Sequence, residues 1–203
     1  MDRYVRAGIN CVAVSEHNNI EGALEVRRIA PFKVIVAEEI KTTEGEIIGL
    51  FLEEEVPKGL TPEETVRAIR GQGGLVCVPH PFDRLRRSPL REEALLRIIG
   101  DVDIIEAFNS RTTLKGDNER AARFAAEHGK PMSAGSDAHT AGEIGLAYVE
   151  MPDFEGAEDF LAALEKGRIV GRRASPVVHV FSTLAKVRTR LGRRPRPTAG
   201  VLA

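Results

Sequence analysis

Apolar residues along this chain fall into two alternating rhythms. Short β-branched runs of strand character are followed, again and again, by stretches whose apolar positions recur every three to four residues, as on one face of a helix. The order begins with the strand "CVAVS", the helix "EGALEVRRI" and the strand "KVIVAEEI", which continues through "KTTEGEIIGLFL" as a hairpin turned at Glu44-Gly45. The next helix has a clear start. Thr61 is a candidate N-cap, Pro62 takes the first helical position, and Glu64, three residues after Thr61, completes a capping box that opens "PEETVRAIRGQGG". There follow the strand "LVCV", the helix "LREEALLRIIG", the strand "VDIIEAF", the helix "DNERAARFAAEHG" and the strand "PMSAG". The strand "LAYVEM", the helix "EGAEDFLAALEKG" and the strand "RIVG" close the alternation. Such an order predicts an α/β fold with a mainly parallel sheet, and the number of units suits a barrel better than a short open sheet.

Length and charge narrow the picture. With 203 residues and 42% hydrophobic content, the chain suffices for one full core, so one domain is expected over residues 1–187. A basic, Pro/Gly-rich tail over residues 188–203 reads as loosely docked chain rather than a nucleic-acid arm. Lys and Arg number 29 against 30 Asp and Glu, so no overall field draws the protein to nucleic acid or to an anionic membrane. No apolar run reaches the roughly 20 residues that span a bilayer, and no signal-peptide pattern opens the chain, so a cytoplasmic location is expected. The two cysteines, Cys11 and Cys77, lie in strand-like runs without metal-type spacing and read as small core residues.

The candidate chemistry sits where the strands stop. One after another they run into Glu16-His17, Glu38-Glu39, Pro79-His80-Pro81, Glu106 with Asn109, and Asp137 with His139. In parallel α/β folds the carboxyl ends of the strands build the ligand site, so these residues are expected at one end of the sheet. Imidazole and carboxylate together suit zinc, manganese or iron, and a carboxylate such as Glu39 can offer its two oxygens to two ions. Glu38 beside it reads as a solvated charge unless a cation stands near the pair. Two histidines fall outside the set. His128 closes a helix and reads as a cap, and His179 reads as a half-buried, hydrogen-bonded residue.

The segments "GINCVAVSEHNNIEG", "VIVAEEIKTTEGEIIGLF", "GGLVCVPHPFDR", "DIIEAFNSR" and "PMSAGSDAHTAGEIG" resemble, in order, the motifs of the PHP domain (polymerase and histidinol phosphatase), and in particular its stand-alone metal-dependent phosphoesterases. The resemblance implies a distorted seven-stranded β/α (TIM-like) barrel with two or three divalent transition metals (Zn, Mn or Fe) at the carboxyl ends of the strands. Carried over by position, it implies metal ligation by His17, Glu39, His80, Asp137 and His139. Glu106 joins them and Asn109 contacts substrate in a motif where members vary, and Arg111 resembles a phosphate-contacting arginine. Family members usually open with a strand bearing Asp-x-His-x-His, whereas "MDRYVRAGIN" resembles the helix after it. The first strand is therefore expected to be missing, leaving strand edges through which a partner or second copy could pair. Glu16 stands where the family usually has aspartate.

The function implied is hydrolysis of a small phosphomonoester or nucleotide by metal-activated water. Asp137, His139 and Arg111 would be the catalytic residues, and the leaving oxygen would take its proton from His139 or from metal-held water. The alternative is a non-catalytic PHP-fold binding or scaffold protein that has lost part of its metal site. Nucleic acid as substrate stands behind both.

Overall fold

A computed structural model describes residues 2–86 and 88–174; His179 and the basic tail lie outside the described residues. The compact unit Met1–Arg173 is a mixed α/β fold with a curled, half-barrel sheet. A short helix α1 (Asp2–Arg6) leads into β1 (Cys11–His17), α2 (Glu21–Ile29), β2 (Lys33–Lys41) and β3 (Glu46–Leu50). Next come α3 (Pro62–Gly71), β4 (Leu75–Val78), α4 (Glu92–Ile98), β5 (Ile104–Asn109), α5 (Lys115–Glu127) and β6 (Met132–Gly135). The hairpin β7 (Ala147–Glu150) and β8 (Arg168–Gly171), with α6 (Ala157–Leu164) between its strands, forms a separate two-stranded sheet packed beside β6.

The main sheet runs in the order β1-β2-β3-β4-β5-β6. Pairing is parallel between β1 and β2, between β4 and β5, and between β5 and β6, but antiparallel on both sides of β3. Five strands therefore point the same way and β3 alone is reversed, because the 42–45 turn joins β2 to β3 as a hairpin. That turn is locked by Thr42, whose N–H and hydroxyl both donate to the Gly45 carbonyl at 2.8 Å. The α3 start is the capping box read from the sequence: the Thr61 hydroxyl accepts from Glu64 N, and the Glu64 carboxylate accepts from Thr61 N at 2.9 Å.

Side chains alternate across the sheet and divide the core in two. Val36, Ile40, Ile47, Val76, Val78 and Ile105 face helices α2 to α5 and build the larger cluster with Ala23, Val66, Ile69, Leu95 and Phe124. Ile35, Ala37, Leu50, Leu75, Cys77 and Ile104 point to the opposite face, where Phe154, Phe160 and Leu164 plug it. Phe51, Phe154 and Phe160 meet edge to face, with centroids 5.0 to 6.4 Å apart. His128 closes α5 as expected, its Nδ1 2.9 Å from the Phe124 carbonyl and its ring stacked on Phe124.

Candidate metal centre

The same alternation sorts the polar residues at the strand ends. His17 is in step with Cys11, Glu39 with Ile35 and Ala37, and Glu106 with Ile104, so all three belong to the plugged face. Their neighbours Glu16 and Glu38 fall on the helix side. Glu16 accepts the Gly22 N–H at 3.0 Å beside the start of α2, and a Cβ on Gly22 would collide with its carboxylate. Glu38 is not the solvated charge expected from the sequence. It is fully buried and accepts the Val56 N–H at 2.8 Å, leaving Oε1 without a hydrogen-bond partner, and burial raises its pKa above the usual carboxylate value. A one-residue offset thus separates a fold-holding carboxylate from one at the site.

Glu39 is the hub of the centre. Its Oε2 lies 3.0 Å from His17 Nδ1 and its Oε1 lies 3.3 Å from His80 Nε2, so one carboxylate serves two imidazoles with separate oxygens. Burial opposes its charge, but the hydrogen bond and charge of His80, then the charge of His17, outweigh it and hold the carboxyl below its usual range. Around His17 the backbone turns sharply at Asn18 (φ 53°), whose N–H donates to the Glu39 carbonyl and whose side chain accepts from Lys41 N. This ties the end of β1 to β2.

Glu46 joins the group, and the strand-end rule missed it. Ligand atoms of His17, Glu39 and Glu46 lie within 4.8 Å of one another. Because β3 is reversed, its first residue comes to the rim where the parallel strands end, and Glu46 pairs in register with Lys41. Burial and the nearby Glu39 charge raise its pKa. The signal was in the sequence: a hairpin turned at Gly45 returns Glu46 to the end of β2.

The second half of the centre is built on β4, β5 and β6. His80 is 3% exposed, with φ of 30°, and its backbone N–H donates to Glu106 Oε2 at 2.8 Å. Burial opposes the His80 charge, yet its hydrogen bond to Glu39 leaves its pKa raised. Its Nδ1 is buried without a hydrogen-bond partner, an uncommon state for an imidazole nitrogen. Glu106 also accepts from Asn109 Nδ2 at 3.0 Å, and burial pushes its pKa up. Gly135 makes room for it, since a Cβ there would overlap Glu106 Oε1.

Asp137 sits at φ 48° just beyond β6. Together with His80 and Asn18 it is one of four non-glycine residues at positive φ among the described residues, and these three adjoin the centre, a concentration typical of functional sites. Burial opposes the Asp137 charge, but Arg86, which ion-pairs with its Oδ2, keeps its pKa low. His139 Nδ1 lies 3.0 Å from the Asp137 carbonyl; a proton donated there leaves Nε2 with the lone pair, the tautomer a metal ligand needs.

Two residues assigned to substrate are already engaged. Asn109 gives its amide to Glu106 and, at 3.5 Å, to Asp137, and its Oδ1 accepts the Arg111 N–H. Arg111 is 7% exposed and pairs with the buried Glu143 at 3.0 Å. Glu143 in turn accepts from His139 N and from the Thr140 hydroxyl, which shapes the turn that carries His139. Among the described residues Arg86 also reaches the centre, through its pair with Asp137, and the sequence reading passed over it as part of "DRLRR".

The donor set fits a divalent transition ion. It combines imidazole and carboxylate, contains a carboxylate with divided oxygens, and leaves a buried imidazole nitrogen unsatisfied.

A family model described as PHP-associated matches residues 115–169. Two uncharacterized proteins of Methanocaldococcus jannaschii are 45% identical over 109 residues and 39% identical over 141 residues. These matches cover 52% and 64% of this chain, and span only 61% and 60% of the relatives' lengths. The fold is shared with PsfC from Pseudomonas syringae (TM-score 0.67, 16% identity, 93% of this chain and 87% of that one). It is shared too with a two-domain protein from Bacteroides vulgatus containing a predicted PHP-like metal-dependent phosphoesterase (TM-score 0.60, 16% identity, 84% and 60% covered). A lesion-specific endonuclease from Pyrococcus furiosus has the same fold at TM-score 0.55 and 17% identity, with 83% and 51% covered. By this matched segment and by the shared fold, the chain is similar to proteins of the PHP-domain family.

Proposed function

We propose that the protein hydrolyses a phosphate ester, a small phosphomonoester or nucleotide, in a metal-dependent reaction. The observation that carries this reading is the divided carboxylate of Glu39, with His17 on one oxygen, His80 on the other, and Glu46 beside them. His17, Glu39 and Glu46 would hold one divalent ion, and Glu39, His80, Asp137 and His139 another. Such ions, when bound, polarise a phosphoryl group and acidify water.

The chain's own residues prepare the place. The Phe154, Phe160 and Leu164 cluster fills the face below the rim, and Glu39, Glu46 and His80 are themselves buried, so these groups act in a weakly screening surrounding. Glu106 and Asn109 brace His80 and Asp137 from behind, fixing first the backbone and then the carboxylate. Glu143 anchors the turn of His139. These supporting bonds limit the motion of the ligand atoms and leave the open side to substrate.

The test is metal content by elemental analysis on the purified chain, followed by turnover on a panel of phosphomonoesters, nucleotides and a duplex containing an abasic lesion. Metal bound in wild type, with turnover lost by about a hundredfold or more in both Glu39→Gln and His80→Ala, is the expected result. Wild type without metal or turnover after reconstitution overturns the reading and favours the binding or scaffold alternative.

A further inference from the structure

The cation at this centre stands on a metal-ligand candidate. Arg86 lies on the segment between β4 and α4, its side chain 22% exposed. One end of its guanidinium is tethered: Nε lies 3.3 Å from Oδ2 of Asp83, itself 3% exposed and fixed by accepting Leu85 N on its other oxygen. The other end, through Nη2, pairs with Asp137 Oδ2. Arg111 is placed differently, deep against Glu143, which is 1% exposed and holds the 139–143 turn.

We propose that Arg86 is the phosphate-contacting arginine of this site, and that metal uptake at Asp137 releases it for that role. The inference rests on the phosphoesterase reading above. A divalent ion and a guanidinium drawn to the same carboxylate repel each other, and the ion carries the greater charge. Uptake of the ion therefore weakens the Arg86–Asp137 pair, while Asp83 keeps the base of the guanidinium in place. The freed end then faces the open side of the centre with the planar, paired donors that suit phosphoryl oxygens. Before metal arrives, the same guanidinium neutralises Asp137 and steadies the loop. Metal and substrate thus bind in order, with the ion first.

Two affinities on the full chain test this, neither of them turnover: Mn2+ binding followed by the free-ion paramagnetic signal, and inorganic phosphate binding to the Mn2+-loaded protein followed by 31P relaxation. Arg86→Met is expected to bind Mn2+ more tightly, by a few-fold, and phosphate about tenfold or more weakly. Arg86→Lys, which keeps the charge without the paired donors, should fall between it and wild type in phosphate affinity. Arg84→Met, on the same segment but paired with Asp117, should leave phosphate affinity unchanged. Mn2+ and phosphate affinity falling together in Arg86→Met, or phosphate affinity unchanged in both Arg86 variants, overturns the proposal and makes Arg86 a brace of the loop. Wild type that binds Mn2+ and phosphate while those variants behave this way sinks this inference alone; wild type that takes up no Mn2+ sinks the phosphoesterase reading with it.

Discussion

Gly135 and Glu106 share one space: the carboxylate of Glu106 on β5 occupies the position that a Cβ at Gly135 on the neighbouring β6 would need. That absence of a side chain lets a buried acid reach the His80 backbone at 2.8 Å. Gly135→Ala should therefore cost about 1–3 kcal/mol of stability by overpacking and should weaken metal uptake as Glu106 is displaced. Gly116, in the first turn of α5 with open space around it, is the contrast. Gly116→Ala should add at most about 0.5 kcal/mol, because it relieves only the entropy of a glycine in the first helical turn. Thermal melts of the two variants, with metal titrations, separate steric crowding at the centre from general tolerance to alanine.

Glu46 is the ligand candidate that enters from the reversed strand. Glu46→Gln keeps the shape and one acceptor oxygen but removes a charge from the His17, Glu39 and Glu46 group. Metal affinity should fall by about tenfold or more, while melting in the metal-free state should hold or rise as one of two crowded buried acids becomes neutral. Calorimetric titration with Mn2+ checks the first half and a melt in chelator the second. Unchanged affinity would remove Glu46 from the centre.

Both thiols should be inert in the native chain. Burial pushes the Cys11 thiol up to about 11 and raises that of Cys77 further, and Cys77 is 5% exposed in the core. The thiolate is the reacting form, and at pH 8 it is a very small fraction of either group. Alkylation at that pH should be slow in the folded protein and complete in denaturant. Mass spectrometry of native and unfolded samples reads this directly, and rapid native labelling of Cys77 would contradict its place in the core.

Thr61 supports the fold at a distance from the chemistry. Its loss in Thr61→Ala removes the hydroxyl that accepts from Glu64 N and that pairs with the Glu64 carboxylate. The expected cost is about 1 kcal/mol, with metal affinity unchanged. Chemical denaturation gives the first number and metal titration the second.

Much of this architecture was legible in the residues because local signals agreed with the tertiary result. "TPEE" declares its capping box without help from the rest of the chain, and the alternation in "KVIVAEEI" separates Val36 from Ile35 before any partner is known. The same alternation, carried three residues further, also separates Glu38 from Glu39; treating them as an adjacent pair obscured it. Glu46 and Arg86 were harder for different reasons. Glu46 matters because one strand of the sheet runs backwards, so a rule about carboxyl ends looks past an amino end. Arg86 sits in a run of arginines whose directions depend on loop geometry, and only the finished fold places its guanidinium at Asp137 while turning Arg84 to Asp117. Arg111 carried the stronger motif signal, and it lies buried beside Glu143.

The reversed β3 also limits how the chain can vary in length. Glu39 faces Ile48 and Lys41 faces Glu46 in one ladder, so the number of residues between positions 41 and 46 sets which face Glu46 occupies. With the ladder kept, a single codon gained or lost in the 42–45 turn would move an acid among the helices and bring an isoleucine to the rim. Relatives that retain the centre should therefore keep this turn at fixed length, or change it by two residues at a time, while exposed connections elsewhere drift freely.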